Sequence, residues 1–426
     1  MKKQTFEKLG ETLYTEVLEN GLTIYVVPKP EFGKSYAFFA TRYGGMDTKF
    51  QLDGKWYDTP AGIAHFLEHK MFDTEDGNAL QDLAANGASP NAFTSNAITG
   101  YYFESTEKFE ENLKILLSFV SIPYFTKESV DKEQGIIGQE IRMIEDDPEW
   151  RVYMALVESL FQNHPVRTSV AGTVESISHI THETLYACHK AFYNPANMVL
   201  TVAGNVDPER IAAIAREILP EKGAADIPRD YGQAEPEQAF SGGTTLQMEV
   251  STPLFQLGFK VGAKKEGAAR YRQALLGDLA CEVVFGESTP LYARLYADGL
   301  INKSFSYAYE EEPGAAFLMA GGESRDPEAV RSAVEAEAAR IGREGVDAGL
   351  WERLKKSAYG SRVRQLNSFE NICVSLARSH FDGAEFFSFP EVYASLSRED
   401  VEGFIRENMK KDTMALAVVA PRGGRA

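Results

Sequence analysis

The chain has 426 residues, enough for two or three domains with sizeable cores. Hydrophobic residues make up 44% and charged residues 25%, the balance of an ordinary soluble globular protein. A net charge of −18 argues against nucleic acid as a partner, because phosphate binding needs a basic face; it favours basic peptides weakly and chiefly aids solubility.

Cys188, Cys281 and Cys373 are odd in number and widely spaced. They form no CxxC pair and no disulfide framework, which points to a reducing cytoplasm. Met1-Lys2-Lys3 leads into no apolar segment, and no run is long enough to span a membrane. The expectation is a cytoplasmic protein without a membrane partner.

Leu13 to Val27 alternates and breaks at Asn20-Gly21, a hairpin signal. Tyr36 to Tyr43 reads as a third strand. Thr59-Pro60 has the form of an N-cap followed by proline at the first helical position. The helix it opens carries His65-Phe66-Leu67-Glu68-His69. Residues four apart lie one turn apart on one face, so His65 and His69 can aim two imidazoles at one point, with Glu68 on the same side. Two imidazoles and one carboxylate form a common catalytic zinc shell, and a further carboxylate can act as general base on the bound water. Glu68 is the candidate base, and the third ligand must come from elsewhere. The order His-x-x-Glu-His is the inverzincin motif.

A second helix is predicted from Asn78 to Asn86, stopped by Gly87. Ala88 to Ser95 and Thr99 to Ser105 read as strands. Pro90 at the start of the first suits an edge strand, and an edge strand beside a zinc site is a template for an extended peptide. Helices follow at Glu107 to Val120 and Lys127 to Ile144. The latter holds Glu133 and Glu140, two turns apart on one side, and either could be the missing ligand. Gly135 and Gly138 lie in the same helix at a cost of about 1 kcal/mol each, and suggest close approach of another helix, with the motif helix as candidate. A helix from Trp150 to Gln162 comes next. His164, His179, His182, His189 and His380 have no ligand-like spacing and read as structural or solvated.

The two ends of the chain repeat. Thr181 opens a helix that leads to a strand at Met198 to Ala203, and Ser397 opens one that leads to a strand at Met414 to Ala420. Cap and methionine are 17 residues apart in both, and Glu183 and Glu399 share an offset. Between the halves, Leu219 to Gly243 is rich in Pro, Gly and charge and reads as a linker. The second half is predicted to contain strands near 244–250, 255–261, 305–309 and 316–320, with helices near 268–284, 290–297, 327–343 and 348–365. It has no His-x-x-Glu-His and no strand–GxGxxG–helix unit. The organisation expected is a metal domain at 1–218, a linker at 219–243 and a related domain without metal at 244–426.

With the motif, the later glutamates and this duplication, the chain resembles the pitrilysin, insulinase and mitochondrial processing peptidase family, most of all its half-length bacterial members. The resemblance covers nearly the whole chain and is strongest from Tyr36 to Gly204. It implies an α+β fold of two homologous α/β-sandwich domains of the mitochondrial processing peptidase type. By resemblance His65, His69 and Glu140 bind zinc, Glu68 activates water, and Glu133 supports the site from behind the ligands. The family's peptide-binding edge strand is matched by Asn91-Ala92-Phe93-Thr94. The activity implied is zinc-dependent endopeptidase action on peptides or unfolded segments, inside a chamber formed with a second subunit.

One departure stands out. Family members usually carry an arginine and a tyrosine, seven apart in the second half, that contact substrate at the zinc. Counted from Arg294, the tyrosine position holds Ile301; anchored on Gly299-Leu300, the pair becomes Leu295 and Asn302. Neither register supplies it. The expectation is therefore a heterodimer, in which a homologous chain brings the arginine and tyrosine and this chain brings zinc; a homodimer is the alternative. Two other readings are a non-catalytic core or partner subunit of a related heteromeric complex, and a peptide-binding chamber that holds zinc without cleaving. Subunits of the first kind usually lose zinc ligands, and this chain keeps all of them.

Overall fold

The computed structural model describes residues 1–219, 227–264 and 266–423. The first half runs β1 (Lys2–Phe6), β2 (Glu11–Val17), β3 (Thr23–Pro28), β4 (Ser35–Thr41), β5 (Lys49–Leu52), β6 (Lys55–Asp58), α1 (Ile63–Met71), β7 (Asp73–Thr74), β8 (Gly77–Asn78), α2 (Ala79–Ala85), β9 (Ser89–Thr94) and β10 (Thr99–Ser105). It continues with α3 (Phe109–Ser121), α4 (Lys127–Glu145), α5 (Pro148–Leu160), α6 (Val174–Ile177), α7 (His182–Phe192), β11 (Met198–Gly204) and α8 (Pro208–Ile218). The second half runs β12 (Gly243–Met248), β13 (Leu254–Val261), α9 (Gly267–Phe285), α10 (Pro290–Ala297), β14 (Ser306–Glu312), β15 (Ala315–Glu323), α11 (Pro327–Glu344), α12 (Ala348–Gln365), α13 (Phe369–Phe381), α14 (Phe389–Ser395), α15 (Arg398–Asn408) and β16 (Met414–Pro421).

The duplication read from the sequence is present in the sheets. The larger has the order β1-β2-β3-β11-β4-β10-β9 and the smaller β12-β16-β13-β15-β14. The last five strands of the first match the five of the second. β11 lies parallel to β3 and antiparallel to β4, as β16 lies parallel to β12 and antiparallel to β13. The helices that lead into these two strands start with the same device. The side chains of Thr181 and Ser397 each accept a hydrogen bond from the backbone N–H three residues on, and the residue there bonds back to the cap.

The chain forms two compact units. One is built from Met1–Ile141, Thr168–Tyr231 and Val363–Phe387, the other from Arg142–Arg167, Gly232–Arg362 and Ser388–Ala426. Each unit thus draws one segment from the far side of the expected linker. In the first unit every residue of β4 and β11 is buried, so both faces of the sheet centre must be covered. One cover is α13, a helix of the second half of the sequence, which packs on β11 and β4 through Ile372, Cys373, Leu376 and Ala377. In the second unit α5, a helix of the first half, packs on β12, β13 and β16.

Residues 220–226 of the expected linker lie outside the described residues. The rest of it has fixed contacts within each unit. In the first, Arg229 Nε donates to the buried Asp47 carboxylate at 2.8 Å and Tyr231 Oη donates to it at 2.9 Å. In the second, Glu235 accepts the backbone N–H groups of Gln162, Asn163 and His164 and pairs with buried Lys260. All three cysteines are buried and free. No helix among the described residues is long and apolar enough to cross a membrane.

The first unit also holds two neutral histidines. His189 Nε2 donates to Val120 O at 3.0 Å, and His380 Nδ1 lies 3.3 Å from the Tyr25 hydroxyl. Burial pulls each down to about 4, with Arg42 adding to the effect at His380. Such a group protonates more readily in the unfolded chain. Its stabilising contribution is complete above about pH 6.5 and is lost as pH falls towards 4. For the fully buried His189 the loss is roughly 3 kcal/mol over that window. Denaturation midpoints measured from pH 7 to 4 should therefore drop, and His189→Gln should flatten the drop. An unchanged slope in that variant would refute the assignment.

Candidate metal centre

α1 starts three residues later than the sequence suggests. Thr59 is not its cap: the Thr59 hydroxyl donates to Thr48 O at 2.7 Å, and Pro60 precedes the helix. The N-cap is Gly62, with φ +93 and no side-chain cap bond. A Cβ there would stand 2.5 Å from Ala171 O, so only glycine lets the helix start against that backbone. From Gly62 onward, Ile63, Ala64, Phe66, Leu67 and Met71 bury one side of the helix. This turns His65 and His69 outward together, their rings 4.6 Å apart between centroids.

α4 brings up its glutamates beside them, and the two differ in kind. Glu140 divides its carboxylate: Oε1 is 3.5 Å from His65 Nε2 and Oε2 is 3.5 Å from His69 Nε2. Glu133 Oε1 is 3.1 Å from His69 Nδ1, on the other side of the ring. Hydrogen bonds of this type run about 2.7–3.2 Å. Ligand atoms bound about 2.0–2.1 Å from one tetrahedral zinc stand about 3.3–3.4 Å apart. Glu133 is thus at hydrogen-bond distance, and Glu140 at the separation of atoms that share a metal. Among the described residues, His65, His69 and Glu140 are the one group of three His, Cys, Asp or Glu side chains so gathered. The donor set and its spacing fit zinc.

The electrostatics point the same way. His69 is held above its ordinary value: burial pulls it down, but the Glu133 hydrogen bond and the charges of Glu68, Glu140 and Glu133 outweigh burial. Glu133 stays below the usual carboxylate range, because His69, Lys70 and Lys132 outweigh its burial. Glu140 is lowered chiefly by its contact with His65. A pocket that gathers this much negative charge around two imidazoles favours a cation.

Glu68 is buried on the motif helix, and Thr94 Oγ1 donates to its Oε2 at 2.7 Å. The resemblance puts Thr94 on the peptide-binding strand, and its hydroxyl is engaged with Glu68. Side chains alternate along β9. Phe93 therefore faces away from Thr94, and its ring stacks on Phe38 at 5.6 Å between centroids. Asn91 accepts from Ala92 N–H at 2.9 Å. β9 is the outermost strand of its sheet and pairs with β10 alone. What the strand offers a ligand is its backbone edge, as proline at its start suggests.

One expectation needs correction. Gly135 and Gly138 do not admit a neighbouring helix: a Cβ on either would meet nothing within 4 Å. The two registers without a complete arginine–tyrosine pair contain core and engaged side chains. Leu295 and Ile301 are core residues at 1% and 4% exposure, and Asn302 Nδ2 donates to Glu323.

The family model described as insulinase, peptidase family M16, matches residues 53–174, which hold all five motif residues; that of the M16 inactive domain matches residues 179–358. The Bacillus subtilis protein YmfH, named an uncharacterized zinc protease, is 40% identical over 99% of this chain and 100% of its own length. The chain belongs to peptidase family M16. A crystal structure described as an M16-like peptidase from Alicyclobacillus acidocaldarius superposes on this M16 chain with a TM-score of 0.92 at 33% identity, covering 96% of this chain and 98% of that one. A chain of Candida albicans complex III2 shares the M16 fold at a TM-score of 0.76, with 14% identity and 95% of each chain covered. At that identity the likeness shows the fold alone.

Proposed function

We propose that this chain is a zinc-dependent endopeptidase that cuts peptides or unfolded segments. The observation that carries the reading is the Glu140 carboxylate, with one oxygen 3.5 Å from each histidine Nε2. His65, His69 and Glu140 would hold the metal. When bound there, zinc supplies Lewis acidity towards a scissile carbonyl and lowers the pKa of a water towards about 7. Glu68 takes the proton from the attacking water and returns it to the departing amine. Thr94 fixes the Glu68 carboxylate for both transfers. Glu133 holds His69 Nδ1–H, which leaves the Nε2 lone pair for the metal. The open edge of β9, from Asn91 to Thr94, pairs with the substrate backbone.

The missing arginine and tyrosine support a second subunit. In the register counted from Arg294 the tyrosine position is the core residue Ile301, and in the other the arginine position is the core residue Leu295, so neither register presents a complete pair. A homologous chain that carries the pair would complete a closed chamber, with this chain as the zinc-bearing half. Free, buried cysteines suit a reducing compartment, and we place the assembly in the cytoplasm. A non-catalytic role is disfavoured by the intact ligand set.

The test is cleavage of an unstructured peptide library, with cut sites mapped by mass spectrometry, for the chain alone, with a co-encoded homologue, and with chelator. The chain alone should bind zinc yet cleave about 10²–10³-fold more slowly than the mixture, the usual effect of a lost oxyanion donor. Chelator should stop the mixture. Full activity from the isolated chain would remove the partner from the proposal, and chelator-resistant activity would remove zinc.

A further inference from the structure

The zinc reading leaves one buried charge beside the site without a role. Lys70 follows His69 directly, and its side chain is 2% exposed. A buried ammonium must be compensated by nearby negative charge. Its Nζ bonds the Asp73 carboxylate three residues on, and stands 3.8 Å from Glu133 Oε2. The other Glu133 oxygen is the one 3.1 Å from His69 Nδ1. Consecutive helical residues point about 100° apart. One group can face both only by lying between them, and Glu133, on α4, does so, with Oε1 at hydrogen-bond distance from His69 and Oε2 within ion-pair range of Lys70. A carboxylate bonded at one oxygen can turn about its last bond, and a cation facing the other oxygen disfavours that turn.

We propose that Lys70 is a positioning residue of the metal centre: it pins Glu133 through Oε2, so that Oε1 keeps His69 Nδ1–H engaged and His69 Nε2 aimed at the metal. Lys70 touches neither metal nor substrate and acts through Glu133. Asp73 would suffice if the lysine needed only a counter-ion. Asp73 is 37% exposed, however, and Glu133 only 15%, so water screens the Glu133 contact less. The inference rests on zinc being held by His65, His69 and Glu140.

The experiment is a zinc competition with a chromogenic chelator, run on the full chain and on Lys70→Met, Glu133→Gln and the double variant. Lys70→Met should weaken zinc about tenfold and Glu133→Gln about 10–100-fold. The double variant should bind no more weakly than Glu133→Gln alone, because both changes act through one carboxylate. A merely structural lysine would shift the melting temperature of the metal-free chain equally in both backgrounds and leave zinc affinity alone. Unchanged affinity in Lys70→Met, or losses that multiply in the double variant, would overturn the role of Lys70 and leave the zinc site standing. Absence of tight zinc in the unaltered chain would overturn both. Should Lys70→Met not fold, Lys70→Arg replaces it. The planar guanidinium keeps the charge but not the placement of a single Nζ, and the expected loss of about threefold must vanish on the Glu133→Gln background.

Discussion

Replacing Glu68 by glutamine should lower peptide turnover by about 10²–10⁴-fold, the usual share of general acid–base catalysis, and leave one zinc per chain. Glutamine has the size of glutamate and keeps an oxygen for the Thr94 hydroxyl, so the packing of the motif helix against β9 survives. What goes is the ability to accept a proton from water and to deliver it to the amine. Because one residue serves both transfers, the loss should fall near the top of the range. Zinc is unaffected because Glu68 is not among the three groups gathered at the metal position. The measurement is kcat on a cleavable peptide beside metal content by mass spectrometry, with the partner chain present. Turnover within tenfold of the unaltered enzyme would show that Glu68 is not the base. Loss of zinc in the same variant would make it a ligand.

The second large effect separates the two glutamates of α4. Glu140→Gln should weaken zinc by more than about 100-fold, beyond the about 10–100-fold usual for a group that supports a ligand from behind. Glu133→Gln should stay inside that lower range, and excess zinc should restore its activity. The difference comes from position. Glu140 faces both Nε2 atoms and would lose a charged oxygen from the coordination shell; Glu133 faces Nδ1 and would lose the hydrogen bond that sets the orientation of His69. Equal losses in the two variants, or the reverse order, would sink the ligand assignment.

Much of this site could be read from residue order, because helical spacing is a local property. His65 and His69 had to share a face, and Glu133 and Glu140 had to share another. Which glutamate meets which side of an imidazole depends on the packing of α4 against α1, and no local rule contains it; only family resemblance singled out Glu140. The paired caps at Thr181 and Ser397 were legible for the same local reason, and so was the edge position of β9 from Pro90. The start of α1 was misread because Thr59-Pro60 has good capping chemistry, while the backbone of Ala171, more than a hundred residues away, dictates glycine at position 62. Gly135 and Gly138 misled in the opposite sense. Their cost to the helix invites a tertiary reason, and the structure provides no neighbour there. Lys70 passed unnoticed because a lysine next to a histidine is ordinary on a surface. Only burial makes it unusual.

The placement of α13 has a consequence for biosynthesis. The sheet that carries the metal-binding helix is sealed on one side by residues 363–387, which are made well after the strands they cover. Until α13 emerges, β4 and β11 must wait with apolar surface uncovered, at a stage when nascent chains are prone to aggregate. Holdase chaperones should therefore engage long nascent chains of this protein, and ribosome-bound chains truncated before Phe369 should be far more sensitive to protease than those that extend past Phe387.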